Sequence, residues 1–222
     1  GYVRVFEGGQ WGRCRRWGAG VAEVVSLNLG NPEAWFQTQT PTKRSVMSNR
    51  AALRILANLV RFDWKDKERL SLTTLRVLLI SAARNASPTK QQKLKQLGDV
   101  AIEAAVSLNR AASRAYSTWK TAYFDDQTVF SVSHAEIKEV AAQATFLACN
   151  AAVFAARAAD DPEAAAAACK SARSSAGFSD PASGMHNANA ALMEDSHEET
   201  HVLQRRSVWN GETIHMGLAY SE

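Results

Sequence analysis

The most specific chemistry in the sequence is carried by five residues: His197-Glu198-Glu199-Thr200-His201 fits the pattern H-E-x-x-H. On a helix, residues four apart lie on one face, so His197 and His201 are candidate ligands for a single zinc ion. Glu198 would then stand beside a metal-bound water and serve as general base. A third ligand is expected from Glu212 or His215, beyond the break at Asn210-Gly211. The neighbouring residues argue the other way. Glu199 puts a charge where such a site wants an apolar, core-facing side chain, and Met193-Glu194-Asp195-Ser196 makes a polar approach. An exposed helix holds a zinc ligand poorly, because nothing fixes the far side of each imidazole. No cofactor is therefore expected, and zinc stands as the alternative.

A second set, Trp11, Arg13, Arg15, Arg16 and Trp17, lies in the Gly-rich stretch from Gly8 to Gly18. Its guanidinium groups suit phosphates and its indoles suit stacking on bases, which is nucleic-acid or anion chemistry. The charge distribution bears on this. Residues 1–95 carry 17 Lys+Arg against 6 Asp+Glu, whereas residues 96–222 carry 9 against 16, so the overall +4 hides a split of +11 and −7. Either an acidic partner binds the first half, or the two halves neutralise each other inside one fold. The pairs Asp125-Asp126 and Asp160-Asp161 fall at helix junctions and read as caps, not as acid/base dyads. Neither GxxxxGK[ST], GxGxxG nor GxSxG occurs. Cys14, Cys149 and Cys169 are odd in number and form no CxxC, which suggests a reducing compartment. The first residues show no apolar signal region and no window approaches twenty uninterrupted apolar residues. The expectation is a cytoplasmic chain without a membrane partner.

The elements that must position these residues are mostly helical. Alanine occurs 39 times, with 25 of these between residues 101 and 176, as closely packed helices require. Tyr2–Phe6 alternates like a short strand, Val21–Leu29 is a second apolar run and Pro32 opens a short helix through Trp35 and Phe36, but residues 1–44 otherwise read as an irregular N-terminal cap closed by Pro41. From Ser48 the period becomes helical, with Ala51, Ala52, Ile55, Leu56, Leu59 and Val60 on one face. Lys67–Ala86 is apolar nearly all round and is expected at the centre of the core. After Ser87-Pro88, the residues Leu94, Leu97, Ala101, Ala104, Leu108, Ala111 and Ala115 recur at spacings of 3 and 4 and predict a packed seam on a helix reaching about Phe124. Ser133 and Glu136 form a capping box for a helix to about Ala159, with a seam through Ile137, Val140, Ala144, Leu147, Ala151, Phe154 and Ala158. Asp161-Pro162 opens the next helix, expected to stop before Gly177, and Asp180-Pro181 a last helical region to about Arg206. The sequence thus predicts a mainly α, up-and-down bundle of five or six helices over residues 45–222, with residues 1–44 as its cap.

Two resemblances follow from these residues. The five-residue H-E-x-x-H segment is similar to the zinc site of the zincin metallopeptidases, which implies the metal roles assigned above to His197, Glu198 and His201. The stretch from Ala151 to Ala159, followed by Asp-Asp-Pro-Glu and an alanine run, resembles bacterial Ala-rich all-helical proteins of the immunity type. That likeness spans residues 50–176 and implies a cytoplasmic, partner-binding role without an active site. The function expected is a non-enzymatic interaction protein, possessing a protein partner. Nucleic-acid binding through the basic half and zinc-dependent peptide hydrolysis are the alternatives.

Overall fold

The computed structural model describes residues 2–7, 10–15, 26–125 and 132–205. Strands β1 (Tyr2–Glu7) and β2 (Gln10–Arg15) pair antiparallel, with Tyr2 opposite Arg15 and Glu7 opposite Gln10. The cap is thus less irregular than expected, since β2 falls on the stretch read as unstructured. Helices α1 (Glu33–Thr38), α2 (Pro41–Arg54), α3 (Lys67–Ala86), α4 (Gln91–Asp125), α5 (Val132–Arg157), α6 (Pro162–Ser179), α7 (Gly184–His197) and α8 (Thr200–Arg205) follow, and the fold is a mainly α bundle.

The bundle begins before residue 45. Thr40 caps α2 by accepting a hydrogen bond from the Lys43 amide, and Pro41 occupies the first helical position, where its missing N–H costs nothing. Proline therefore opens this helix and does not close a linker. Trp35 and Phe36 of α1 are buried in the main core, with rings 5.0 Å apart in an edge-on arrangement.

The central helix is α5, not α3. Among its described residues, Ala142, Ala144, Ala148, Cys149, Ala151, Ala152 and Ala155 are all buried, and it packs against α2, α3, α4 and α6. Alanine on every side lets several helices approach closely without leaving voids. An 18-residue window within residues 135–157 has a mean hydropathy of 1.3, apolar enough by composition to cross a bilayer, and 56% of that window is buried inside the bundle. Helix α3 has only one inward face, formed by Leu70, Thr74, Val77, Leu78 and Ser81, while Leu72 and Leu79 are 68% and 60% exposed.

The α4 seam is real but rotated by one residue from the expected set. Gly98, Ile102, Ala105, Ala112 and Tyr116 point inward, whereas Leu97 is half exposed and Ala104 exposed. Gly98 admits Ile80 of α3; a Cβ there would stand 3.5 Å from Ile80 Cγ2. Asn109 completes the seam, its amide donating to Asn150 Oδ1 at 3.0 Å. In α5, Ala144 and Ala151 lie in the core as expected, as does Ala158 just past its end, but Ile137 is outside it. The Ser133–Glu136 capping box falls where the Ser133 side chain lies outside the described residues, and the helix already includes Val132.

Asp161 does cap α6, accepting from the Glu163 amide at 2.8 Å. Ser175, 15 residues after Asp160, donates to the Ala144 carbonyl, 16 residues before it, as an antiparallel hairpin requires. Helix α6 runs through Gly177 to Ser179, and Asp180 then accepts from the amides of Ala182 and Ser183 ahead of α7. Gly184 is the tight point of this turn. A Cβ on it would stand 2.1 Å from the Ala176 carbonyl oxygen, so only glycine lets α7 leave α6 at this angle.

Candidate functional site

The H-E-x-x-H segment does not lie on one helix. His197 is the last residue of α7, and Glu198 follows with extended backbone (φ −82°, ψ 149°). Helix α8 then opens at Thr200, with the Glu199 carbonyl accepting from the amides of Val202 and Leu203. The two imidazoles are therefore not stacked one turn apart, which corrects the premise of the zincin likeness. His201 instead faces Glu199, its Nδ1 3.3 Å from Oε2, with both side chains exposed. No group of three or more His, Cys, Asp or Glu side chains placed to hold a metal ion occurs among the described residues. Glu212 and His215 lie outside them.

The break has a physical cause two residues upstream. Asp195 is buried and takes two guanidinium groups from α2: Arg50 Nε at 3.2 Å from both oxygens, and Arg54 bidentate at 2.6 and 3.1 Å. Arg50 also donates to the Leu203 carbonyl at 3.1 Å, and Lys43 donates to the Ser196 carbonyl at 2.9 Å. Partial burial pushes the Lys43 ammonium below the usual lysine range, against the pull of Glu198 and Glu199. These bonds tie α7 and α8 separately to α2 and turn the chain between them.

The same chemistry recurs at other helix ends. Arg44 donates to the carbonyls of Ala158 and Ala159 at 3.2 and 2.8 Å, just past α5. Arg84 reaches the Ala156 carbonyl and pairs with Asp160 at 3.1 Å. Arg61 donates to the Ser179 carbonyl, the last of α6, at 2.9 Å. A helix C-terminus presents unpaired carbonyls and a partial negative charge, so each cation satisfies both. This accounts for six of the basic residues in the first half: they serve α5, α6, α7 and α8.

Nucleophiles are sequestered. Burial pushes the Cys149 thiol up to about 11 and the Cys169 thiol up to about 12, far from a reactive thiolate. An open groove of about 640 Å³ runs along α4, lined by Asp99, Glu103, Arg110 and Arg114 with Arg157 of α5, over a floor of Ile102 and Val106. Its charges are mixed, two carboxylates against three guanidinium groups. Of the basic set, Trp11, Arg13 and Arg15 are on β2, while Arg16 and Trp17 lie outside the described residues.

The surface feature that sequence reading assigned to the core is the outward side of the α3–α4 hairpin. Gly98 meets Ile80, and Leu79 and Leu97 each precede that contact by one residue. In an antiparallel pair, equal offsets of 100° turn both side chains to the same side. Leu72, seven residues before Leu79, and Ala104, seven after Leu97, extend the stripe, with Leu94 and Leu108 half-buried at its edge. Leu72, Leu79 and Leu97 remain 68%, 60% and 50% exposed.

Together these features define a mainly α bundle with six of its basic residues spent on later helices and an apolar face of α3 and α4 left outward. Compared with protein-family models, curated proteins and solved structures, the chain matches none of them.

Proposed function

We propose that this chain is a non-enzymatic interaction protein that docks another protein on the outward face of α3 and α4. The observation that carries the reading is the exposed stripe of Leu72, Leu79 and Leu97. Large aliphatic side chains grouped on one face are a usual mark of a protein-binding surface. A cytoplasmic immunity-type or regulatory role is consistent with it, because such proteins act by contact and need no catalytic groups. The buried, neutral thiols and the mixed-charge groove support the non-enzymatic part of the reading.

The test is affinity capture from the native host with the wild-type chain and with Leu72→Asp combined with Leu79→Asp. Both positions are exposed, so the variant is expected to melt within a few degrees of wild type. A partner retained by wild type and lost by the variant supports the reading. Identical capture by both overturns it.

A nucleic-acid reading has one observation in its favour. The strand register sets Arg4 opposite Arg13, Tyr2 opposite Arg15 and Phe6 opposite Trp11, which gathers arginines and aromatics at facing positions. Binding of this kind must weaken steeply with salt. Absence of an electrophoretic shift at low salt removes it.

A further inference from the structure

We infer that the partner element seated on the α3–α4 face is an acidic amphipathic helix. The inference rests on the docking reading above and names the chemistry of the occupant. Helix α4 carries two apolar stripes. The inner one, Gly98, Ile102, Ala105, Ala112 and Tyr116, meets the bundle. The outer one, Leu94, Leu97, Ala101, Ala104 and Leu108, keeps the 3,4 spacing of a helix-packing seam with only Ala101 fully buried. Small residues alternating with leucines let a helix axis approach closely, which is the geometry that accepts knobs from a further helix.

Charge selects the sign of that helix. On α3, Arg69, Leu72, Arg76 and Leu79 follow each other at spacings of 3, 4 and 3, so two cations share the leucine face. At the other edge Lys90 and Lys93 lead into Leu97 at spacings of 3 and 4. All four cations are exposed, and none has an ionic partner among the described residues. This sets them apart from Arg44, Arg50, Arg54, Arg61 and Arg84, which are paired within the fold. The acidic residues Asp99 and Glu103 of α4 line the groove on its other side, and Glu68, exposed four residues before Leu72 and the one carboxylate of α3, is outnumbered on the leucine face by Arg69 and Arg76. A leucine stripe bordered by four free cations fits an apolar ridge flanked by Glu or Asp.

The test uses the full chain and two fluorescent amphipathic peptides about three heptads long, with identical Leu/Ala ridges and either Glu or Lys on the flanks. Fluorescence anisotropy is expected to show at least tenfold tighter binding of the Glu peptide, weakening with salt. Arg76→Glu with Lys93→Glu should erase or reverse that preference, and Leu72→Asp should weaken both peptides. Equal binding of the two peptides by wild type overturns the inference, as does no binding of either. A wild-type dimer dissociated by Leu72→Asp in sedimentation also overturns it, by showing that a second copy holds the face. The two readings fail separately. If host capture is lost in Leu72→Asp/Leu79→Asp but unchanged in Arg76→Glu/Lys93→Glu, docking stands and the acidic helix falls.

Discussion

At the residue scale the centre of gravity is Asp195, a side chain that draws no attention in the sequence beyond making the approach to H-E-x-x-H polar. Its partners Arg50 and Arg54 are 145 and 141 residues away, so no local pattern could reveal them. Asp195→Asn leaves two inward guanidinium groups without a counter-charge, and is expected to cost about 3–5 kcal/mol of stability in denaturant unfolding. Replacing all three residues by apolar ones of similar volume should recover much of that loss. A loss no larger for Asp195→Asn than for the exposed Asp99→Asn would refute the role. The thiols give a pH prediction. Their folded-state values, about 11 and about 12, lie above the ordinary thiol value of 9.0, so the unfolded chain releases protons first. The stabilisation is complete below pH 9 and drains as pH rises towards 11, by on the order of 1 kcal/mol per thiol. Melting curves of wild type and Cys149→Ala/Cys169→Ala from pH 8 to 10.5 should show a shallower alkaline decline in the variant. Parallel declines would mean that other groups set the alkaline limit.

Helix identity and most helix starts were legible in the sequence at the level of the element, because caps and periodicity are local. Asp161-Pro162 begins α6 as its chemistry demands. What the pattern misplaced was which face turns inward. On α4 the leucine-rich stripe looks like the seam, but the bundle chose the adjacent one, where Gly98 and Asn109 break the apolar pattern and yet face Ile80 and Asn150. Likewise α3 looked central because it is leucine-rich, and α5 is central because it is alanine-rich. Size and hydrophobicity predicted burial; closeness of approach decided it. The helix-end cations give a prediction at this scale. Arg44→Ala with Arg84→Ala strips the α5 C-terminus of both donors and should lower stability by about 1–3 kcal/mol. Exchange of the amides at residues 150–157 should quicken more than exchange in α2 or α3. Uniform quickening throughout the bundle would show that the arginines support the fold generally and not that helix end.

For the whole molecule, part of the charge split visible in the sequence is internal wiring: six of the 17 basic residues before residue 96 serve later helices. The H-E-x-x-H segment became a turn between two helices, while the docking face emerged only when the helices were placed beside each other. The wiring also has a direction in time. Every helix-end donor described lies between residues 43 and 84, and the carbonyls they serve lie 72 to 153 residues later. A ribosome therefore releases the cationic half well before the groups that take up its charge exist. For that interval residues 1–95 carry a net charge of about +11 beside ribosomal RNA, whose phosphates attract them. Emergence of α5 and the helices after it is what withdraws those arginines from the polyanion and closes them into the protein.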